Sequence, residues 1–447
     1  MPEAELYGML AEFKEPEALV EAARRARAEG YRDLDAFTPF PVEGLAEVLR
    51  LRDRRVLLLG LAGGWTGFLL ALGMQMFTNF SYPINVGGRT AAAARRGLTM
   101  NAALRWIWPA SALAGVVGTI AGLLIDPQAL LASYLAAAVA WSGISLGALA
   151  VLLVTYVVRG EWTEGLHTPL TAAALTLPVA GLLFVPVLIA VPWLYPWAAE
   201  AERHGALQGI YLTPWFFIVR TIAYFIIWTM LALWARDAWG DLDRMIRAGS
   251  AGLILYALTG SFAGIDWIES LSPEFHSSVY GLLFVTFQIL AGFAFAVFVV
   301  LRQRQPTLRY GDIFLSILLL WAYIHAMQYI VIWSGDIPDE LVWYLHRSPD
   351  GWGVVLTALV LLQFVIPFFA MLSERVRYGR GPLLVIAGGT LALRFVEAFW
   401  LVLPSTSAGG PVLVLTIPAT VMAIGGVWLL AFAEMLRRVE AAAQETG

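Results

Sequence analysis

Apolar runs of membrane length follow one another from about residue 56 to residue 435, and nothing else in the chain constrains its fold as strongly. A helix needs about 20 apolar residues to cross the hydrocarbon core of a bilayer. Such stretches lie near 56–76, 105–125, 130–158, 168–192, 213–236, 250–268, 277–301, 312–334, 354–374, 383–403 and 412–435. Backbone polar groups in hydrocarbon must be satisfied internally, and barrel strands would run only about ten residues, so the spans are helices. Hydrophobic residues make up 59% of the 447 and charged ones 14%, against roughly 45–50% and 25% in soluble domains. The expected fold is a mainly α-helical polytopic membrane protein of about eleven transmembrane helices, preceded by a small α/β domain.

What the chain leaves out excludes several chemistries. It contains no cysteine, which removes disulfides, thiolate-held iron–sulfur clusters, the C-x-x-C-H haem attachment and acylated-cysteine anchors. A b-type haem needs two facing axial ligands, and of the 5 histidines only His325 lies deep in a span. No cofactor or metal site of the chain's own is expected. A net charge of −4 gives no reason to expect a nucleic-acid partner. The 18 Trp and 15 Tyr suit interfacial belts at the two membrane faces, in contact with lipid. The acidic, amphipathic start lacks a charged leader and apolar core, so no signal peptide is expected.

Residues 1–55 carry 9 basic and 12 acidic side chains and read as a soluble unit. An apolar run at 6–13 suggests a strand. Pro16, then Ala18, Leu19, Ala22, Ala23 and Ala26, give a helical stripe that Gly30 stops. A second strand at 31–37 and a short helix at 42–49 complete a β-α-β-α pattern. So small a unit leans on a partner surface, and it holds no phosphate loop or nucleophile; docking is the expected role.

Loop charge orients the bundle. Arg95, Arg96, Arg159, Arg236, Arg244, Arg247, Arg302, Arg304, Arg309, Arg375, Arg377, Arg380, Arg437 and Arg438 mark one set of alternating segments. That set is cytoplasmic by the positive-inside rule, which places both ends of the last ten spans inside; the N-terminal unit is expected in the cytoplasm as well, at the inner membrane of a bacterium. Arginines flank the first span on both sides, and an eleventh crossing breaks parity. Either 77–94 returns through protein, or the first span is re-entrant, or the N-terminal unit lies outside; the first is preferred.

Two stretches resemble a known assembly. Leu6-Tyr7-Gly8, Asp35-Ala36-Phe37-Thr38-Pro39-Phe40-Pro41-Val42-Glu43-Gly44 and Tyr82-Pro83-Ile84-Asn85-Val86-Gly87-Gly88-Arg89 resemble the small D subunit of alternative complex III. From about residue 98, Ile265-Asp266-Trp267-Ile268-Glu269-Ser270-Leu271, Trp321-Ala322-Tyr323, Ile332-Trp333-Ser334-Gly335 and Gly351-Trp352-Gly353 resemble its F subunit, of the NrfD/polysulfide-reductase type with ten helices. The chain looks like a fusion: a docking domain at 1–55, a span and connector at 56–97, and a ten-helix domain at 98–440. The D-like portion stops soon after Arg89, and the loop Arg159-Gly160-Glu161-Trp162 matches its counterpart only loosely. The resemblance implies a quinol:cytochrome c (or equivalent) oxidoreductase using menaquinol or another quinol. It implies haem c and iron–sulfur clusters in partner subunits: an iron–sulfur/molybdopterin-oxidoreductase-like subunit, a multihaem cytochrome c subunit and a second NrfD-like membrane subunit, with a terminal oxidase as a further associate.

An ionisable residue at a helix centre costs roughly 2.5–3.5 kcal/mol, so each needs a reason. His325, Arg394 and Glu397 lie near mid-depth, with Tyr323 and Gln328 close in sequence to the histidine. They form a candidate proton path, since imidazole titrates near neutral pH; the plain alternative is a buried ion pair locking helices. Toward the outer face, Arg220, Asp266, Glu269 and His276 form a second group that suits acceptance of quinol protons. There the plain alternative is an Asp266–Arg220 packing pair. The main expectation is a scaffold and proton-translocation subunit without redox centres. A quinol-binding subunit with a periplasmic-side site and a stand-alone secondary transporter with a midplane site are the rivals.

Overall fold

A computed structural model describes residues 104–158, 160–199, 211–303, 309–348, 351–406 and 408–445, together with 15–31 and single positions between 11 and 48. The chain forms two compact units, Met1–Thr90 and Ala91–Gly447.

In the first unit, helix α1 (Pro16–Ala28) begins with Pro16, whose fixed φ suits a first turn. It ends before Gly30, at φ 99°. Ala23 of this helix is buried with Leu45, and Leu19, Val20, Leu34, Ala36, Val42 and Val48 pack around them. Leu45 and Val48 are helical, in keeping with the short helix expected at 42–49. No strand occurs among the described residues, so the α/β character expected of this unit is not shown: Ala11, Phe13, Tyr31, Leu34 and Ala36 are in irregular backbone. Most other positions of the two expected strands, like the first span at 56–76 and the connector to residue 97, lie outside the described residues.

The second unit is helical among its described residues. It comprises α2 (Leu104–Ile125), α3 (Pro127–Val157), α4 (Glu161–Ala174), α5 (Leu177–Leu194), α6 (Pro214–Ala238) and α7 (Leu242–Trp267). Then follow α8 (Tyr280–Arg302), α9 (Tyr310–Gly335), α10 (Pro338–Leu345), α11 (Trp352–Leu359), α12 (Ile366–Met371), α13 (Arg380–Val402) and α14 (Leu413–Glu445). Among the described residues, nine helical segments are long and apolar enough to cross a membrane, α4 and α5 together making one of them. With α2, ten of the eleven expected spans are helices; the other lies outside the described residues.

Turn chemistry sets the hairpins. Asp126 alone separates α2 from α3: its carboxylate accepts from the backbone N–H groups of Gln128 and Ala129 at 3.1 and 3.0 Å, and Pro127 follows in the first helical turn. At the far end of α9, Asp336 takes the left-handed conformation (φ 47°) that Asp tolerates better than most residues.

α3 and α8 form the middle of the bundle, with 89% and 83% of their apolar windows buried. They touch backbone to backbone: a Cβ on Gly147 would lie 1.7 Å from the Gln288 carbonyl oxygen, and one on Gly292 2.1 Å from the Ala148 nitrogen. Membrane helices gain no hydrophobic drive against one another, so close approach through small residues holds them. The same device joins α2 to α14, where Gly115 faces the Ala423 backbone. Between α11 and α12, residues Val360–Val365 form a π turn, with the Ile366 N–H donating to Leu361 O. Pro367 has no N–H to donate to Gln363 O, and the wider turn accommodates that gap.

Candidate functional site

The mid-depth residues come together between α9 and α13. His325 Nε2 lies 3.0 Å from Glu397 Oε1, and Arg394 contacts Glu397 Oε2 from one turn earlier on the same helix. The Trp321 indole N–H donates to Glu397 Oε1 at 3.1 Å. His325 Nδ1 lies 3.0 Å from Trp321 O, one turn back on its own helix, which fixes the ring's orientation. Neither ion-pair contact is aligned as a hydrogen bond, and Arg394 Nε and Nη2 are buried with no hydrogen-bond partner among the described residues. Aromatic faces take up part of that charge, with the guanidinium carbon 4.7 Å from the Trp321 ring centroid and 5.5 Å from that of Phe287.

Two members of the expected path stand apart from this trio. Tyr323 is 58% exposed, on the bundle's periphery; two residues from His325 is about 200° around a helix, so the side chains face opposite ways. Gln328 is buried on the histidine's side, with its Oε1 unpartnered among the described residues.

The trio belongs to a longer polar seam along one face of α13 and its C-terminal turn. Thr390 accepts from Gln363 Nε2 at 3.2 Å; Arg394 and Glu397 follow at helical spacing, then the Leu401 carbonyl and Ser405. At the far end Arg347, fully buried, donates to Leu401 O and Ser405 Oγ, both at 2.7 Å, and to Trp343 O at 2.9 Å. Its guanidinium carbon lies over the Trp343 ring, 3.1 Å from the centroid. Burial pulls the pKa of Arg347 down, to about 9, which still leaves it charged at neutral pH. Ser405 is also bonded to Ser272 at 3.1 Å, beside the Glu269 turn.

The outer group divides in two. Arg220 grips Asp266 with two bonds, Nε to Oδ2 at 3.0 Å and Nη2 to Oδ1 at 2.8 Å, and the Tyr224 hydroxyl donates to Oδ2 at 2.8 Å. Arg220 also donates to Tyr211 O at 2.8 Å and lies over the Tyr211 ring. Asp266 is thus saturated and locks α6 to α7. Glu269 is different: its Oε1 accepts from the Ser277 N–H at 2.7 Å, while Oε2 is buried with no partner among the described residues. His276 is exposed, with Nδ1 3.1 Å from Glu274 O. Trp267, Phe275 and Tyr280, near this group, are buried in aromatic packing.

Sequence reasoning missed Arg347, which sits in a loop segment that reads as acidic and outward. It also missed the buried His167 near the arginine-bearing helix ends. That ring stacks on Trp239 at 3.4 Å and borders a cavity of about 1020 Å³ also lined by Thr171, Arg236 and Arg438. Glu434 pairs with Arg437 and Arg438. Among the described residues, no three His, Cys, Asp or Glu side chains gather as a metal site.

These features define a class: a polytopic helical membrane protein whose buried polar groups tie its helices together. Residues 7–128 match the family model of the ActD subunit of alternative complex III, and a further multi-helix membrane region follows. Over these residues the chain is similar to the ActD subunit of that complex, and its described helices make it a multi-pass membrane protein. The match runs past Arg89, where the resemblance placed the end of the D-like portion, through α2 to Gln128. No curated protein matches the chain.

Proposed function

We propose that this chain is the scaffold and proton-translocation subunit of its complex, an ActD-type portion fused to an NrfD-like ten-helix bundle over 98–440. The bundle's first helix, α2, then falls within both the ActD match and the ten-helix count. Its packing against the last helix, α14, supports counting it with the bundle. In this reading quinol oxidation and electron transfer occur on the iron–sulfur, haem-bearing and sister NrfD-like subunits, and this chain carries protons for them. The N-terminal unit docks on the cytoplasmic side.

The observation that carries the reading is the His325–Glu397–Arg394 trio, a carboxylate and an imidazole in contact at mid-depth on a polar seam running to the helix end. Groups so costly to bury in a membrane are kept where protons or helix contacts need them. The test is Glu397→Gln in the whole complex reconstituted in vesicles. Protons released per electron should fall while quinol oxidation with an uncoupler continues. Unchanged proton release in an assembled complex would refute the route.

A quinol site near the outer turn is the second reading, favoured by the unpartnered buried oxygen of Glu269. A photoreactive quinol analogue labelling residues around His276 supports it, and labelling confined to the sister subunit counts against it. The ActD-like portion, which has no evident role in solute transport, counts against the stand-alone transporter.

A further inference from the structure

The seam and the outer turn meet at a residue that neither reading uses. Tyr280 opens α8, is fully buried, and meets Phe275 and Trp343 edge-on, with ring centroids 6.1 and 5.4 Å away. On one side its N–H donates to Ser277 O at 3.1 Å, and the Ser277 N–H in turn donates to Glu269 Oε1 at 2.7 Å. The Tyr280 backbone is therefore one turn from Ser277, whose N–H holds the Glu269 carboxylate; the other oxygen of that carboxylate has no partner among the described residues. On the other side Trp343 carries Arg347, which is bonded to Leu401 O, one turn beyond Glu397.

The phenol oxygen is itself buried with no hydrogen-bond partner among the described residues, and it lies in the fields of Arg347, Glu269, Glu397 and Tyr344. Burying a hydroxyl unpaired is unfavourable, and a phenylalanine in the same aromatic cage would avoid that penalty. A buried hydroxyl within electrostatic reach of two carboxylates has a use a phenyl ring lacks: it donates one proton and accepts another.

Resting on the proton-route reading above, we propose that the Tyr280 hydroxyl is the relay between Glu397 and the free oxygen of Glu269, with water bridging each gap. As the Tyr280 O–H bond breaks, its proton passes through the outer water to form O–H on Glu269 Oε2. The phenol oxygen takes a replacement from the inner water, which is reprotonated by Glu397 after that carboxylate has itself taken a proton handed on by His325, 3.0 Å away. One proton moves outward, no electrons change hands, and the tyrosine ends as it began. Asp266 takes no part, because Arg220 and Tyr224 occupy its oxygens.

The test is Tyr280→Phe in the intact complex in vesicles, read beside Glu397→Gln. Proton release should slow about tenfold or more at unchanged subunit content, in line with the loss of a positioned proton carrier. If Glu397→Gln loses proton release and Tyr280→Phe keeps it, the relay is overturned and the route stands. If both keep it, the route itself fails. Should Tyr280→Phe not assemble, 3,5-difluorotyrosine at position 280 retains the ring and acidifies the hydroxyl. An acidward shift in the pH profile of proton release then supports the relay, and an unmoved profile overturns it.

Discussion

Arg347 donates to the carbonyl oxygen of Leu401 at 2.7 Å, one turn beyond Glu397 on the same helix. A buried cation thereby caps the end of α13 that carries the trio, an arrangement favoured by the unsatisfied carbonyls and partial negative charge of a helix C-terminus. Position and charge of the seam are coupled through this one side chain.

Replacing Arg347 by Lys should destabilise the complex by about 2–4 kcal/mol, since an ammonium reproduces neither the forked bonds nor the stacking on Trp343. Arg347→Met should cost a similar amount. Because the folded pKa of about 9 lies below the arginine reference of 12.5, the unfolded chain binds more protons only above about pH 9, where stability rises with pH. Between roughly pH 6 and 8 the difference in thermal midpoint between the natural chain and Arg347→Met should therefore stay constant.

Removing one partner of the buried ion pair should be worse than removing both. Arg394→Met leaves Glu397 facing only His325 and Trp321, and should cost about 3–5 kcal/mol; Arg394→Met with Glu397→Leu should recover most of it. Thermal unfolding in nanodiscs measures both. Proton release should stay lost in the double variant.

Asp266 and Glu269 lie three residues apart and should behave oppositely. Asp266→Ala leaves the Arg220 guanidinium uncompensated, and should lower stability by about 3–5 kcal/mol. Glu269→Gln keeps an acceptor for the Ser277 N–H, and should change stability by less than about 1 kcal/mol while impairing proton release. Unfolding midpoints and vesicle proton assays separate the two.

Gly147→Ala should destabilise the bundle by about 1–3 kcal/mol, because the new methyl meets backbone that cannot step aside. Gly389→Ala, with nothing within 4 Å of a built Cβ, should be neutral or slightly stabilising. Detergent-resistance midpoints of the two variants decide this.

The spans were legible because membrane thickness imposes a length that composition reveals directly. The Arg394–Glu397 and Arg220–Asp266 pairs were legible because intramembrane charges seldom stand alone. Tyr323 was misread because nearness in sequence was taken for nearness in space, and the helical turn sends it away from His325. Arg347 was illegible because its acceptors are backbone carbonyls and an indole face, which leave no trace in the order of side chains. The π turn before Pro367 was not legible, since a proline announces a missing donor without saying how the chain accommodates it.

The contact of Gly147 with Gly292 has a mechanical consequence. With no side chains to slide or re-pack between them, α3 and α8 cannot rotate or shift past each other without parting altogether. They act as a fixed axle. Motion during turnover falls to the outlying α9 and the π-turned segment 352–371, of whose apolar windows only 28% and 22% are buried. His325 is on the first of these and Glu397 on α13, so any shift of α9 at the rim would change the reach between them.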